Sequence, residues 1–151
     1  KLNEVFEMSD RGGNYFTIWY GVYNQETQEL VYSSGGHPPS VLISDAPGGF
    51  MAKSLDSDGI PIGMMPDEEF SDQICHVSKH DRLYIFSDGV YEIENDNGLL
   101  WGFDAFVEML KLQQNDDDPH ANILDTILQA AQQFCGQDTL EDDFSILEIQ
   151  F

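Results

Sequence analysis

The run Leu83-Tyr84-Ile85-Phe86 constrains this chain more than any other feature, because it puts large apolar side chains on both faces of an extended strand. Such a strand is at home only in the middle of a sheet that is covered on each side. It is followed at once by Ser87-Asp88-Gly89. A carboxylate therefore sits at the end of a rigid element, beside a glycine that lets the backbone turn sharply or approach a ligand closely.

The pattern around that strand fixes the fold class. Residues 15–23 are dense in aromatic and β-branched side chains, and 30–33 form a second short run across the polar link 24–29, so the two predict a hairpin. Gly35-Gly36-His37-Pro38-Pro39 breaks the pairing, since proline cannot donate to a ladder. Residues 41–43 resume as a strand, 45–66 read as loop from their glycines and prolines, and 70–77 and 82–86 are two further strands joined by the polar turn 78–81. Phe103, Phe106, Val107 and Leu110 recur at the spacing of one amphipathic helical face. A second helix is predicted with Asp118 as its cap, Pro119 in its first turn, Ile123, Ile127, Ala130 and Phe134 on one side, and Gly136 at its end. Residues 144–151 close the chain as a strand, with Leu147, Ile149 and Phe151 on one face and Glu148 and Gln150 on the other. At the other end, residues 1–8 read as the tail of a helix, and the stretch 9–14 as a turn cluster. Strands, then helices, then a strand, without βαβ alternation, imply an α+β fold of antiparallel sheets with helices packed outside. We find one domain over 1–151 and no repeat.

Charge narrows the function. Six basic residues against 28 acidic ones leave a formal charge of −22, which repels nucleic acid and anionic lipid. It also repels phosphorylated substrates, so a phosphate-handling protein of this charge needs bound cations to reverse the local field. No apolar run approaches the ~18–20 residues of a membrane span, and no signal peptide opens the chain. Cys75 and Cys135 lack metal-ligand or CxxC spacing and read as buried, reduced thiols, which fits a cytoplasmic location.

Two acidic sites stand at predicted strand ends: Asp88 after the central strand, and Glu141-Asp142-Asp143 before the last one. Hard cations such as Mg²⁺ and Mn²⁺ take oxygen ligands and keep several waters, so few carboxylates are needed. Asp-Gly turns and acids before a strand are also common without any metal, and spacing alone leaves both readings open. Asp116-Asp117-Asp118 reads as dipole-favoured acids at a helix start rather than a metal cluster. His37 could act as a general acid, but before Pro38-Pro39 a structural turn role is the simpler reading. Ser87 lies in no nucleophile-elbow pattern, and Met64, Met65 and Trp101 read as residues that pack or border the site rather than bind a cofactor.

Four segments, in order, resemble the SpoIIE branch of the PPM-type (protein phosphatase 2C-like) metal-dependent Ser/Thr phosphatases. They are Tyr20-Gly21-Val22 with Tyr32-Ser33-Ser34-Gly35-Gly36-His37-Pro38-Pro39; Gly59-Ile60-Pro61-Ile62-Gly63-Met64; Asp81 through Glu92, which contains Ser87-Asp88-Gly89-Val90-Tyr91-Glu92; and Asp142-Asp143-Phe144-Ser145-Ile146-Leu147. The resemblance implies an αββα sandwich of antiparallel sheets, two Mn²⁺ or Mg²⁺ ions, and hydrolysis of phosphoserine or phosphothreonine by metal-activated water. By position, Asp88 and Asp142 resemble metal ligands and Asp143 an auxiliary carboxylate. The family's earlier acidic motif, an Asp followed by Gly-His-Gly-like residues, is not among these 151 residues. The expectation is thus the C-terminal portion of the domain, without its first strands and inactive alone. The resemblance further implies an upstream sensory or receiver domain and a phosphoprotein substrate, of which a STAS-type anti-sigma-factor antagonist is the usual kind. The rival reading is a pseudophosphatase that keeps the fold as a protein-binding module; a calcium-binding or purely structural acidic domain has only the charge in its favour.

Overall fold

The computed structural model describes residues 2–7, 12–114 and 122–151. The elements run α1 (Leu2–Val5), β1 (Ile18–Asn24), β2 (Glu29–Gly35), β3 (Ser40–Ala46), β4 (Gly49–Leu55), β5 (Gln73–His76), β6 (Arg82–Phe86), α2 (Phe103–Gln113), α3 (Ile123–Cys135) and β7 (Ile146–Gln150). Two compact units divide them, Lys1–Ser40 with Ser54–Lys79 and Val41–Lys53 with His80–Phe151. Each carries one sheet, in the orders β1-β2-β5 and β4-β3-β6-β7. Antiparallel sheets with a few helices are the α+β class that the sequence predicts.

In the first unit β1 and β2 form the expected hairpin, in register from Ile18↔Gly35 to Asn24↔Glu29. The Asn24 side chain closes its turn by accepting from the amides of Glu26 and Thr27. β5 pairs with β2. Leu30, Tyr32 and Cys75 are buried, and Trp19 stacks on Tyr32 at 5.6 Å while its indole donates to Leu55 O. The GGHPP turn and the Gly59-Ile60-Pro61 segment are clasped together. Ser34 N donates to Ser57 Oγ at 2.6 Å, and Gly36 N to Gly59 O at 2.7 Å. The approach is so close that a Cβ on Gly59 would stand 1.8 Å from Ser34 O. His37 Nδ1 donates to Pro38 O at 2.9 Å, in keeping with a structural turn role. Asn3, buried on α1, ties that helix down by donating to Met65 O and Glu68 O and accepting from Gly63 N.

In the second unit β6 is central, flanked by β3 and β7, as its doubly apolar pattern requires. One face of this sheet, with Val41, Ile43, Tyr84, Phe86 and Ile146, packs against Phe106 and Leu110 of α2 and Ile127 of α3. The expectation of a loop over 45–66 is corrected at β4. Gly49–Leu55 is a strand joined to β3 by the two-residue turn Pro47-Gly48, and its Phe50 and Ala52 reach the core while Met51 is exposed. The alternation in β7 is as read, but the helix-covered side is that of Ile146. Leu147 and Ile149 are exposed, and Glu148 pairs with Arg82 at 3.4 Å.

The helix α3 begins at Ile123 with Asn122 as its cap, whose side chain accepts from Leu124 N, and ends at Gly136 with φ 75°. Its buried stripe is Ile123, Ile127, Ala131 and Cys135; Ala130 and Phe134 are only half-buried. The expected cap at Asp118 with Pro119, the Asp116-Asp117-Asp118 cluster, and Ser9, Asp10 and Arg11 of the expected turn lie outside the described residues. Cys75 and Cys135 are buried thiols outside any disulfide. Among the described residues no helix is long and apolar enough to cross a membrane.

Tyr84 gives this core a pH signature. Burial pushes its phenol above the ordinary value of 10.0, and the Glu148 carboxylate adds to the shift, against the opposing effects of the Gln114 hydrogen bond and Arg82. The folded state then holds the phenolic proton more tightly than the unfolded chain. Stability is fully present below pH ~10 and is lost as pH rises toward the folded value. Tyr84→Phe is expected to flatten the decline of melting temperature above pH ~10, whatever it costs at neutral pH. An unchanged slope in the variant would show that another group carries the alkaline transition.

Candidate functional site

The second unit brings together the two acidic segments that the sequence singles out. Phe86 ends β6 in register with Ile146 of β7, so the chain leaving one strand and the chain entering the other start side by side. Asp88 opens a single 3-10 turn, Asp88–Val90, in which Tyr91 N and Glu92 N both donate to Asp88 O. A Cβ on Gly89 would stand 3.2 Å from Asp142 Cβ and 2.7 Å from Asp143 O. Glycine is required there because the Asp142-Asp143 backbone occupies the space of a side chain.

Each acid is oriented by its own turn. Asp88 Oδ1 accepts from Gly89 N at 3.1 Å, and Asp142 Oδ1 accepts from Asp143 N at 2.8 Å. Asp88, Asp142 and Asp143 are exposed, so their carboxylates keep water within reach. A cleft of about 370 Å³ opens beside Asp142, lined in part by Gly89, Glu92, Glu94 and Glu141, and no basic side chain among the described residues lines it. The negative field is felt at Tyr91, whose phenol is held above 10.0 by burial first and then by the charges of Glu92 and Asp88.

The donor set fits a hard divalent cation of low protein coordination. Among the described residues no group of three or more His, Cys, Asp or Glu converges as a closed metal cage. Two exposed aspartates on abutting turns are the kind of ligand that Mg²⁺- or Mn²⁺-type ions use when waters and a phosphate complete the shell.

Two features escaped sequence reading. Ser87, dismissed as a nucleophile, links the two acidic segments through its hydroxyl, which donates to Asp143 O at 2.6 Å and accepts from Ser145 N at 3.0 Å. Its place one residue beyond the central strand was the available signal. The ring of residues 91–102 was also unseen. It is closed by Gly102 N to Tyr91 O and Trp101 N to Ile93 O, and Trp101 stacks on Phe134 at 6.0 Å, a packing role in agreement with the sequence.

The family model described as Stage II sporulation protein E (SpoIIE) matches residues 1–151. The phosphoserine phosphatase RsbU of Bacillus subtilis (strain 168) is 28% identical over 157 residues, covering 99% of this chain and 43% of the relative. The chain thus spans less than half the length of that relative. Two solved structures of SpoIIE, the cell fate determinant of Bacillus subtilis, share the fold. One comprises the PP2C phosphatase domain and a fragment of the regulatory domain, with a TM-score of 0.72 at 18% identity, over 99% of this chain and 42% of that one. The other is the phosphatase domain presoaked with Mn, with a TM-score of 0.65 at 14% identity, over 97% and 61%. With its whole length matched by the family model and its antiparallel sheets superposing on these domains, the chain belongs to the SpoIIE family.

Proposed function

We propose that this chain is the C-terminal portion, over 1–151, of a metal-dependent phosphoserine/phosphothreonine protein phosphatase, and that Asp88 and Asp142 hold the catalytic cations with Asp143 as an auxiliary carboxylate. The observation that carries the reading is the meeting of Asp88 and Asp142 at one end of the β6–β7 pair, with Gly89 fitted against the second segment. The family membership and the kinship to the phosphoserine phosphatase RsbU support the reaction class, and the Mn-presoaked SpoIIE crystal supports the cation class.

Bound Mn²⁺ or Mg²⁺, two ions by family precedent, would supply the positive charge that offsets the phosphate and makes water nucleophilic near neutral pH. The chain's own part is positional. Asp88 and Asp142 present oxygens from two abutting turns, the end of β6 holds Asp88 in place, and the open cleft beside Asp142 admits a phosphorylated segment. At a net charge of −22 the protein would repel that segment without the cations. The substrate is a phosphoprotein, by family precedent a STAS-type anti-sigma-factor antagonist, acting in cytoplasmic bacterial signalling downstream of a sensory or receiver domain.

The test is phosphate release from a phosphoserine peptide or p-nitrophenyl phosphate by the full-length protein. Activity with millimolar Mn²⁺, lost on adding EDTA and restored by excess Mn²⁺, is expected. Release that EDTA leaves untouched would refute the metal mechanism. Binding of phosphoprotein without any release would favour the pseudophosphatase reading.

A further inference from the structure

We propose that Ser87 is a positioning residue for the candidate metal centre: its hydroxyl fixes the Asp142-Asp143 backbone against the end of β6 and so sets the separation of the Asp88 and Asp142 carboxylates. This rests on the reading of that pair as cation ligands.

The ladder between β6 and β7 has its last pair at Phe86↔Ile146. One residue further, Ser87 N still donates to Ser145 O at 3.0 Å. Beyond that point both chains turn away, each around its own aspartate. The amides of Gly89 and Asp143 are taken up by the preceding Asp88 and Asp142 side chains, and do not reach across. The Ser87 hydroxyl does reach across. It donates to Asp143 O at 2.6 Å, with a longer contact to Ser145 O at 3.5 Å, and accepts from Ser145 N at 3.0 Å. One oxygen used as donor and acceptor therefore carries the strand pairing past its end, to the residues adjoining both acids.

Such a clamp matters because Asp142 and Asp143 are exposed and lie ahead of the first residue of β7. An unclamped segment there would sample many conformations, and each cation bound would have to order it. Partners that hold ligands without touching the ion commonly change metal affinity 10–100-fold. Gly89 supplies the other half of the arrangement by letting the Asp143 carbonyl come close enough to accept the hydroxyl proton.

The experiment compares Ser87→Ala and Ser87→Thr with the parent in the full-length protein. Amide hydrogen exchange is read without metal, and Mn²⁺ binding is read by titration calorimetry. In the Ala variant the Ser145 amide is expected to exchange about tenfold faster, from the loss of its hydrogen bond, and Mn²⁺ to bind about tenfold more weakly or worse. The Thr variant keeps the hydroxyl and should restore both, which a general packing defect would not. Should the Ala chain fail to fold, Ser87→Cys, similar in size and weaker in hydrogen bonding, is expected to show the same two losses. The proposal is overturned if Ser145 exchange is unchanged, or if exchange quickens while Mn²⁺ affinity stays within about twofold of a parent that binds. A full-length parent that binds no Mn²⁺ removes the cation-ligand reading itself, and the proposal with it.

Discussion

Asp88→Asn is expected to lower the Mn²⁺-dependent phosphatase activity of the full-length protein by about a hundredfold or more, since loss of a direct ligand should exceed the 10–100-fold typical of outer partners. An amide oxygen is a poorer ligand for a hard dication and brings no charge to offset the phosphate. The fold should survive. Asp88 is exposed, and in a chain of net charge −22 the removal of one acid relieves like-charge repulsion. Without metal the variant should therefore be at least as stable as the parent. The asymmetry appears when cations are added. Millimolar Mn²⁺ should raise the parent's melting temperature more than NaCl of equal ionic strength, because it binds the folded site by mass action while NaCl only screens. The variant should keep the salt response and lose the Mn²⁺ excess. A variant as active as its parent, or a parent that Mn²⁺ and NaCl stabilise alike, would leave Asp88 as one exposed acid among many.

How far the site can be read from sequence follows from which forces place each residue. Asp88 is legible because Leu83 through Phe86 can only be a central strand, and a residue directly after such a strand has little freedom in where it ends up. Asp142 is legible for the same reason from the other side, through the alternation of β7. The link between them is not. A serine hydroxyl bridging 56 residues, from Ser87 to Asp143, leaves no periodicity or spacing to detect. The clasp of Ser34 and Gly36 onto Ser57 and Gly59 is hidden in the same way, since the glycines that read as loop are there to let two backbones touch. β4 was missed because Pro47-Gly48-Gly49 signals both an irregular loop and a tight hairpin turn, and the short Phe50, Ala52 alternation after it is too weak to choose. On α3 the register slipped by one residue after Ile127, where Ala131 and Cys135 turn inward in place of Ala130 and Phe134. Small and sulfur-bearing residues carry less hydrophobic signal than a phenyl ring, yet the straight i, i+4 row decides what is buried.

The second large effect expected is on stability, at Phe106. This side chain is fully buried on α2, in T-shaped contact with Phe86 at 4.8 Å and with Trp101 at 6.5 Å. It lies in the cluster formed by β3, β6, α2 and α3, with no polar atom of its own to be rescued by water. Phe106→Ala should cost about 3–5 kcal/mol, the transfer free energy of a phenyl ring plus the cavity it leaves. Against the ~5–15 kcal/mol of a whole domain this is a large fraction, and the melting temperature should fall by roughly 10 °C or more. Phe106→Leu refills much of the space and should cost less. The link to function runs through Phe86, which rests on Phe106 and immediately precedes Ser87 and Asp88. While the Ala variant remains folded, the backbone pairing of Phe86 with Ile146 still holds Ser87 at its station, so Mn²⁺ affinity should change much less than stability. Thermal melts of the three proteins, with Mn²⁺ titrations well below the lowest midpoint, test both halves of this expectation. A Phe106→Ala protein that melts with its parent would show that α2 contributes little to the core over β6; one that melts early and also loses Mn²⁺ affinity in proportion would show that this core, rather than the Ser87 clamp, sets the geometry of the two aspartates.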